Sequence, residues 1–370
     1  MRDTTPQRHD IQTVVFVSAG IERIRSLAGS LPDCRRVRVM ELCGTHTMAV
    51  ARCGLRGLLP ENLQLVSGPG CPVCVTESGY IDRAIFLSRQ PGVVVATFGD
   101  MVRVPGFHGS LAAARADGAE VEVVYSPLQA AELASRRPEK QIVFLAIGFE
   151  TTAPGTALML QEARRMGLRN LSALTAHKRM LPILRALLSS GDVPVDGFLC
   201  PGHVSVIVGF DAFAGIAREF GRPCVTAGFD ALQIVQGLAE ILRQLSAGQS
   251  RAVSVYPAAS AEGNVVAQGL LSEVFEPADA DWRSIGVIPD SGLALRGEWA
   301  VFDAAKRFEL PEFPPHDPPG CCCGDVILGR RDPRDCPLFA GRCTPRDPVG
   351  PCMISSEGTC AAAFKYGTRS

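Results

Sequence analysis

Three groups of residues in this chain have types and spacings suited to chemistry. The first is Glu41-Leu42-Cys43-Gly44-Thr45-His46-Thr47, where a thiol and an imidazole lie three residues apart. Both are metal ligands or an acid/base pair when a fold brings them together. On their own they are as readily a core thiol and a hydrogen-bonded turn histidine. The second is Gly68-Pro69-Gly70-Cys71-Pro72-Val73-Cys74. Glycines and prolines make a tight turn there, and a two-residue spacer lets both sulfurs face one point. That suits a chelated metal or a redox dithiol. Zinc would want a second such pair, and the chain has none. The third is the tail, where seven of the 14 cysteines fall at 321, 322, 323, 336, 343, 352 and 360. Several thiolates on an irregular backbone suit an iron–sulfur cluster, which needs four; structural zinc is the alternative. More thiols than one cluster uses leaves a spare redox pair.

Positioning these groups requires a scaffold. From about residue 12 to 255, apolar β-branched runs alternate with amphipathic stretches. Strands are predicted at 37–42, 63–67, 93–97, 121–125, 142–147, 171–175, 196–200 and 223–227. Helices are predicted at 81–89, 110–116, 127–137, 155–166, 178–189, 210–220 and 231–244. Strands apolar on both faces and separated by helices imply parallel sheets covered on both sides. Eight strands fit two α/β units better than one, with a cut near 138, where Arg136-Arg137-Pro138 precedes a strand. Ten prolines between 311 and 351 exclude regular structure through the tail.

Both thiol motifs then follow strands, at the end that faces the ligand crevice of an open α/β sheet. Further loops join them. Glu150 lies in Gly148-Phe149-Glu150-Thr151-Thr152, His203 in Pro201-Gly202-His203-Val204-Ser205, and Asp230 in Gly228-Phe229-Asp230. Each alone reads as a cap or turn, with Thr151 or Thr152 as an N-cap candidate. Five such loops on strand ends argue for one shared crevice. His177 and His108 are weaker candidates.

Composition narrows the class. The net charge of −1 gives no electrostatic case for nucleic acid or a membrane surface. There is no apolar leader region and no run of 18 apolar residues, so the expectation is a cytoplasmic protein without a membrane span.

Across nearly its whole length the sequence resembles the hydrogenase formation (maturation) family HypD. The carrying segments are ELCGTHTMAV (41–50), SGPGCPVCV (67–75), GFETTAP (148–154), CPGHVSVIVG (200–209) and the Cys-rich tail from 323 to 364. The resemblance implies two parallel-sheet α/β (Rossmann-like) domains around a cleft, at 12–138 and 139–255. It adds an iron–sulfur domain at 256–370, packed by the N-terminal segment 1–30. It implies a redox scaffold that, with a HypC-type chaperone, holds iron and assembles the Fe(CN)2CO group of nickel–iron hydrogenases. A HypE-type donor supplies cyanide, and the hydrogenase large subunit is an indirect partner. Whether the scaffold itself catalyses reductive cyanide transfer is left open. By the same resemblance Cys43, Cys71 and Cys74 are cleft thiols for iron, with His46, His203 and Glu150 beside them. The tail looks like that of ferredoxin–thioredoxin reductase. That likeness makes Cys321, Cys336, Cys343 and Cys360 ligands of a four-iron four-sulfur (4Fe-4S) cluster, and Cys323 and Cys352 a redox dithiol. Cys322 stands where the family has another residue, and Asp230 where it has a glutamate. Cys53 receives no role. The rival reading is a stand-alone iron–sulfur disulfide reductase.

Overall fold

The structure is a computed structural model and describes residues 8–32 and 35–367, with side chains from residue 15. Cys34 lies outside the described residues. The strands are β1 (Val37–Glu41), β2 (Leu63–Ser67), β3 (Val93–Thr97), β4 (Glu120–Val123), β5 (Gln141–Gly148), β6 (Leu171–His177), β7 (Gly197–Pro201), β8 (Cys224–Ala227), β9 (Ala252–Ser254), β10 (Phe275–Trp282) and β11 (Gly286–Leu295). All eight strands expected from the sequence are present. Together with β9 they form two parallel sheets, in the orders β2-β1-β7-β8-β9 and β4-β3-β5-β6, and β10 and β11 make an antiparallel hairpin.

The strand sequences explain this arrangement. In β3, Val93-Val94-Val95-Ala96-Thr97 is buried on both faces. Branched side chains fit the pleat, and helices on both sides take them out of water. Helix Ala153–Arg165 starts after β5 and helix Ala231–Ser246 after β8, each with its apolar face in a sheet core.

The sheets do not divide the chain at residue 138. β3 and β4 pair with β5 and β6 across that point, while β7, β8 and β9 return to stand beside β1 and β2. One unit is therefore an insertion within the other. Strand adjacency is fixed by main-chain pairing over long separations, which a local break such as Arg136-Arg137-Pro138 does not report.

The N-terminal helix, Arg8–Gly29, also differs from expectation. It packs on helix Ala231–Ser246 over the five-stranded sheet, not on the cysteine-rich tail. Gly20 permits the contact, since a Cβ there would lie 2.4 Å from Val235 Cγ1. The hairpin closes the four-stranded sheet: Phe275 and Leu295 join its core with Trp299 and Phe302. The tail runs irregularly between short helices Cys323–Ile327 and Thr359–Tyr366. It lies against the five-stranded sheet's loops. A Cβ on Gly329 would be 2.8 Å from the Ser67 carbonyl oxygen, and one on Gly44 2.3 Å from that of Glu357. Among the described residues no helix is long and apolar enough to cross a membrane.

Gly70 permits a close main-chain approach between the two loops. A Cβ there would sit 2.3 Å from the Leu42 carbonyl oxygen and 2.7 Å from Cys43 Cα. Gly70→Ala is expected to lower the unfolding free energy by about 1–3 kcal/mol. Gly215→Ala adds a methyl that meets nothing within 4 Å. Inside helix Ala214–Phe220 it is expected to stabilise by about 0.5–1 kcal/mol. Denaturant unfolding of both variants checks this, and equal effects would contradict it.

Candidate functional site

Parallel pairing sets the site. β1 and β2 run in register with Glu41 opposite Ser67, so the loops after them leave the sheet side by side. The Gly68 N–H donates to the Glu41 carbonyl at 2.9 Å, and Gly70 lies on the main chain of Leu42 and Cys43. The two thiol motifs therefore meet, as a shared crevice requires. Cys43 precedes helix Gly44–Arg52 in extended conformation. Cys71 occupies the same position before helix Pro72–Val75, where its Sγ accepts the Cys74 N–H at 3.2 Å. Cys71 and Cys74 form a disulfide with Cα atoms 5.3 Å apart. Cys43 is a free thiol. All three are buried. Burial, reinforced by the Glu357 carboxylate, pushes the Cys43 thiol up to about 11.

Beneath the first motif, the fully buried Glu41 carboxylate accepts from Thr47 Oγ1 at 2.7 Å and from Arg56 Nη2 at 3.0 Å. This brace locks the loop that carries Cys43. Above it, Thr45 Oγ1 donates to Glu357 at 2.7 Å and ties the tail to the same loop.

His46 and His203 both pack against Phe229. The ring centroids are 4.8 Å apart for His46–Phe229 and 4.1 Å for His203–Phe229. His46 Nε2 lies 3.0 Å from the Gly228 carbonyl and 3.2 Å from that of Ala227. Two acceptors there assign the proton to Nε2 and leave Nδ1 an acceptor, which has no partner among the described residues. Burial lowers the His46 pKa to about 4, so this imidazole is neutral. His203 is exposed and is the histidine a solvent-borne reactant can reach. Asp230 accepts the Gln233 N–H at 2.8 Å and caps helix Ala231–Ser246.

Glu150 lies at the end of the other sheet. Its Oε1 accepts the Met180 N–H at 2.9 Å at the start of helix Met180–Ser190. Among the described residues its Oε2 is buried without a partner, and burial raises its pKa. The structure thus gives Glu150 a helix-terminus contact, next to the strand on which helix Pro72–Val75 packs. Thr152 precedes helix Ala153–Arg165 without a side-chain cap, its hydroxyl donating back to the Ile147 carbonyl at 3.1 Å.

The tail gathers Cys321, Cys322, Cys323, Cys336, Cys343, Cys352 and Cys360 around one small pocket closed by Leu338, Phe339 and Met353. Cys321, Cys323, Cys352 and Cys360 are near neighbours in it, and the Cys360 N–H donates to Cys352 Sγ at 3.3 Å. Cys322 pairs instead with Cys336, and its Sγ accepts from Arg331 at 3.0 Å. Among the described residues no three His, Cys, Asp or Glu side chains are gathered around a single-ion position. The seven sulfurs ring a volume rather than a point, and the pocket packs against helix Pro72–Val75. Cys53 is exposed, at the far end of helix Gly44–Arg52. Sequence reasoning missed Glu357 and Arg283. Neither sits in a motif, and both act only through long-range packing.

A protein-family profile, HypD, described as "Hydrogenase formation hypA family", matches residues 15–367. The chain belongs to the HypD family. It is 44% identical over 349 residues to the hydrogenase maturation factor HypD of Azotobacter vinelandii, covering 92% of each chain. It is 42% identical over 350 residues to the hydrogenase maturation factor HypD of Escherichia coli, covering 94% of each. A putative hydrogenase expression/formation protein of Methanocaldococcus jannaschii is 39% identical over 358 residues, covering 96% of this chain and 99% of its own.

His177, at the end of β6, supplies a pH test of the HypD-family scaffold. It is buried, with Nε2 3.0 Å from Thr156 Oγ1. Burial lowers its pKa from the ordinary 6.5 to about 3. Between those values the unfolded chain binds the extra proton. The stability His177 contributes is therefore complete above 6.5 and is lost as pH falls toward 3. At pH 5 the loss is about 2 kcal/mol. In His177→Gln the decline in unfolding free energy from pH 7.5 to pH 5 is expected to be smaller by about that amount. Equal declines in denaturant unfolding would contradict it.

Proposed function

We propose that this chain is a hydrogenase maturation factor acting as a redox scaffold, on which the Fe(CN)2CO group of nickel–iron hydrogenases is assembled. It works with a HypC-type chaperone and a HypE-type cyanide donor, ahead of the hydrogenase large subunit. The observation that carries this reading is the meeting of Cys43 with the Cys71–Cys74 turn, on the side of the sheet where the cysteine-rich tail packs.

The iron is the substrate. Low-spin iron with cyanide and carbonyl ligands favours thiolate donors. Cys43 supplies one sulfur. Cys71 and Cys74 supply a second once their disulfide is opened, or give reducing equivalents as a dithiol. Binding iron displaces the thiol proton, and buried Cys43 holds that proton tightly. Exposed His203, fixed on Phe229, is placed to take up or return protons. His46 keeps its Nε2–H on the carbonyls of β8 and offers only Nδ1.

The tail fits a four-iron four-sulfur cluster: seven cysteines ring one apolar pocket on irregular backbone, more than the four thiolates required. Cys321, Cys336, Cys343 and Cys360 would hold it, and when bound it supplies electrons one at a time. Cys323 and Cys352, which line the same pocket, are the dithiol that reduces Cys71–Cys74. In that exchange the Cys71–Cys74 bond breaks and a Cys323–Cys352 bond forms, with two electrons and two protons passing between the pairs.

The test is anaerobic co-expression with a HypC-type partner, followed by infrared spectroscopy in the metal carbonyl and cyanide stretching region. Wild type is expected to show both band sets, and Cys43→Ala to lose them. Absence of bands from wild type, or their persistence in Cys43→Ala, would sink the reading.

A further inference from the structure

Arg283 follows the last residue of β10 and is 2% exposed. Its main-chain N–H donates to the Val75 carbonyl at 3.0 Å, and its Nε donates to the Thr76 carbonyl at 2.8 Å. Both bonds fall directly after Cys74. Among the described residues its Nη1 and Nη2 are buried and donate to nothing. A guanidinium is charged at every accessible pH, and a buried charge needs an opposite one. The neighbouring groups able to carry the opposite charge are Cys323, Asp317, Glu77 and Cys321. Glu77 is already committed: it accepts the Tyr80 N–H at 2.6 Å and pairs with Arg83. Asp317 is exposed to solvent. The sulfurs remain. The chain is also close-packed here, for a Cβ on Gly324 would lie 2.3 Å from Ser284 Cβ. Cys323 and Arg283 thus belong to two directly abutting turns.

We propose that Arg283 is the fixed counter-charge of the tail's sulfur centre and the positioning residue that joins it to the Cys71–Cys74 turn. One side chain serves both ends: Nε and the main chain hold the residues after Cys74, while both Nη groups are left for sulfur anions. Of the two sulfurs, Cys321 is a cluster ligand, and metal-bound thiolates are deprotonated outright, so the anion exists without any titration of the tail. The proposal rests on the reading of the tail as a cluster site. A positive charge beside an anionic centre favours the reduced form, which carries one more negative charge.

The experiment uses the full chain purified without oxygen. Iron and acid-labile sulfide are measured first, then the cluster's midpoint potential by redox titration followed by electron paramagnetic resonance. Arg283→Gln is expected to keep its iron and sulfide and to disfavour reduction about tenfold, which is about 59 mV more negative for one electron. Arg283→Lys keeps the charge and is expected to stay within about threefold of wild type. A potential unchanged in Arg283→Gln overturns the proposal while leaving the cluster reading intact. So does a shift in Arg283→Lys as large as that in Arg283→Gln. Wild type without iron and sulfide overturns both. If Arg283→Gln does not accumulate, Arg283→Lys decides: within threefold supports the role, and tenfold or more overturns it.

Discussion

The main-chain contact between the loop after β2 and the loop after β1 is the constraint on which the site depends. Two parallel strands in register deliver the loops side by side, and glycine at position 70 lets one lie on the carbonyl of Leu42. Everything chemical follows from that approach. Cys43 and the Cys71–Cys74 turn share one end of one sheet, and the buried Glu41–Arg56–Thr47 brace holds the first loop rigid beneath them. The tail then seals the arrangement, bonding through Thr45 to Glu357 and packing its cysteine pocket on helix Pro72–Val75.

Burial explains the character of these sulfurs. A thiol removed from water keeps its proton, and a buried imidazole stays neutral. Cys43 and His46 are therefore quiet until something changes their surroundings, such as a metal ion that displaces the thiol proton. In the proposed function such closure protects a site that waits for iron from adventitious oxidants. The exposed member is His203, against the Phe229 ring.

Much of this was legible in the sequence. The eight central strands showed themselves as short β-branched, apolar runs, several of them apolar on both faces, and both thiol motifs lay where a strand run ended. The hairpin did not. β10 carries Glu276, Pro277, Asp279 and Asp281, a polar pattern with a proline that reads as loop. Its place comes from Phe275 and Trp282 meeting partners more than 100 residues away in sequence. Helix Gly44–Arg52 begins Gly-Thr-His-Thr, poor helix formers, and is held by tertiary packing. The insertion of one α/β unit into the other had no local signal at all. Of the side chains grouped by motif, Cys43, Cys71, Cys74, His46 and His203 gather on the five-stranded sheet, whereas Glu150 belongs to the other. Arg283 was invisible because its meaning is its lack of partners in a buried place.

The central claim is that the tail's thiols and the Cys71–Cys74 disulfide form one electron path within a single molecule. Thiol trapping tests it most directly. Anaerobic protein is given a limiting quantity of a low-potential reductant, quenched with an alkylating agent, and mapped by mass spectrometry. Wild type should label Cys71 and Cys74, and Cys352→Ser should leave them disulfide-bonded under the same dose. Equal labelling in the two proteins would contradict the claim, because the disulfide would then take its electrons without the tail.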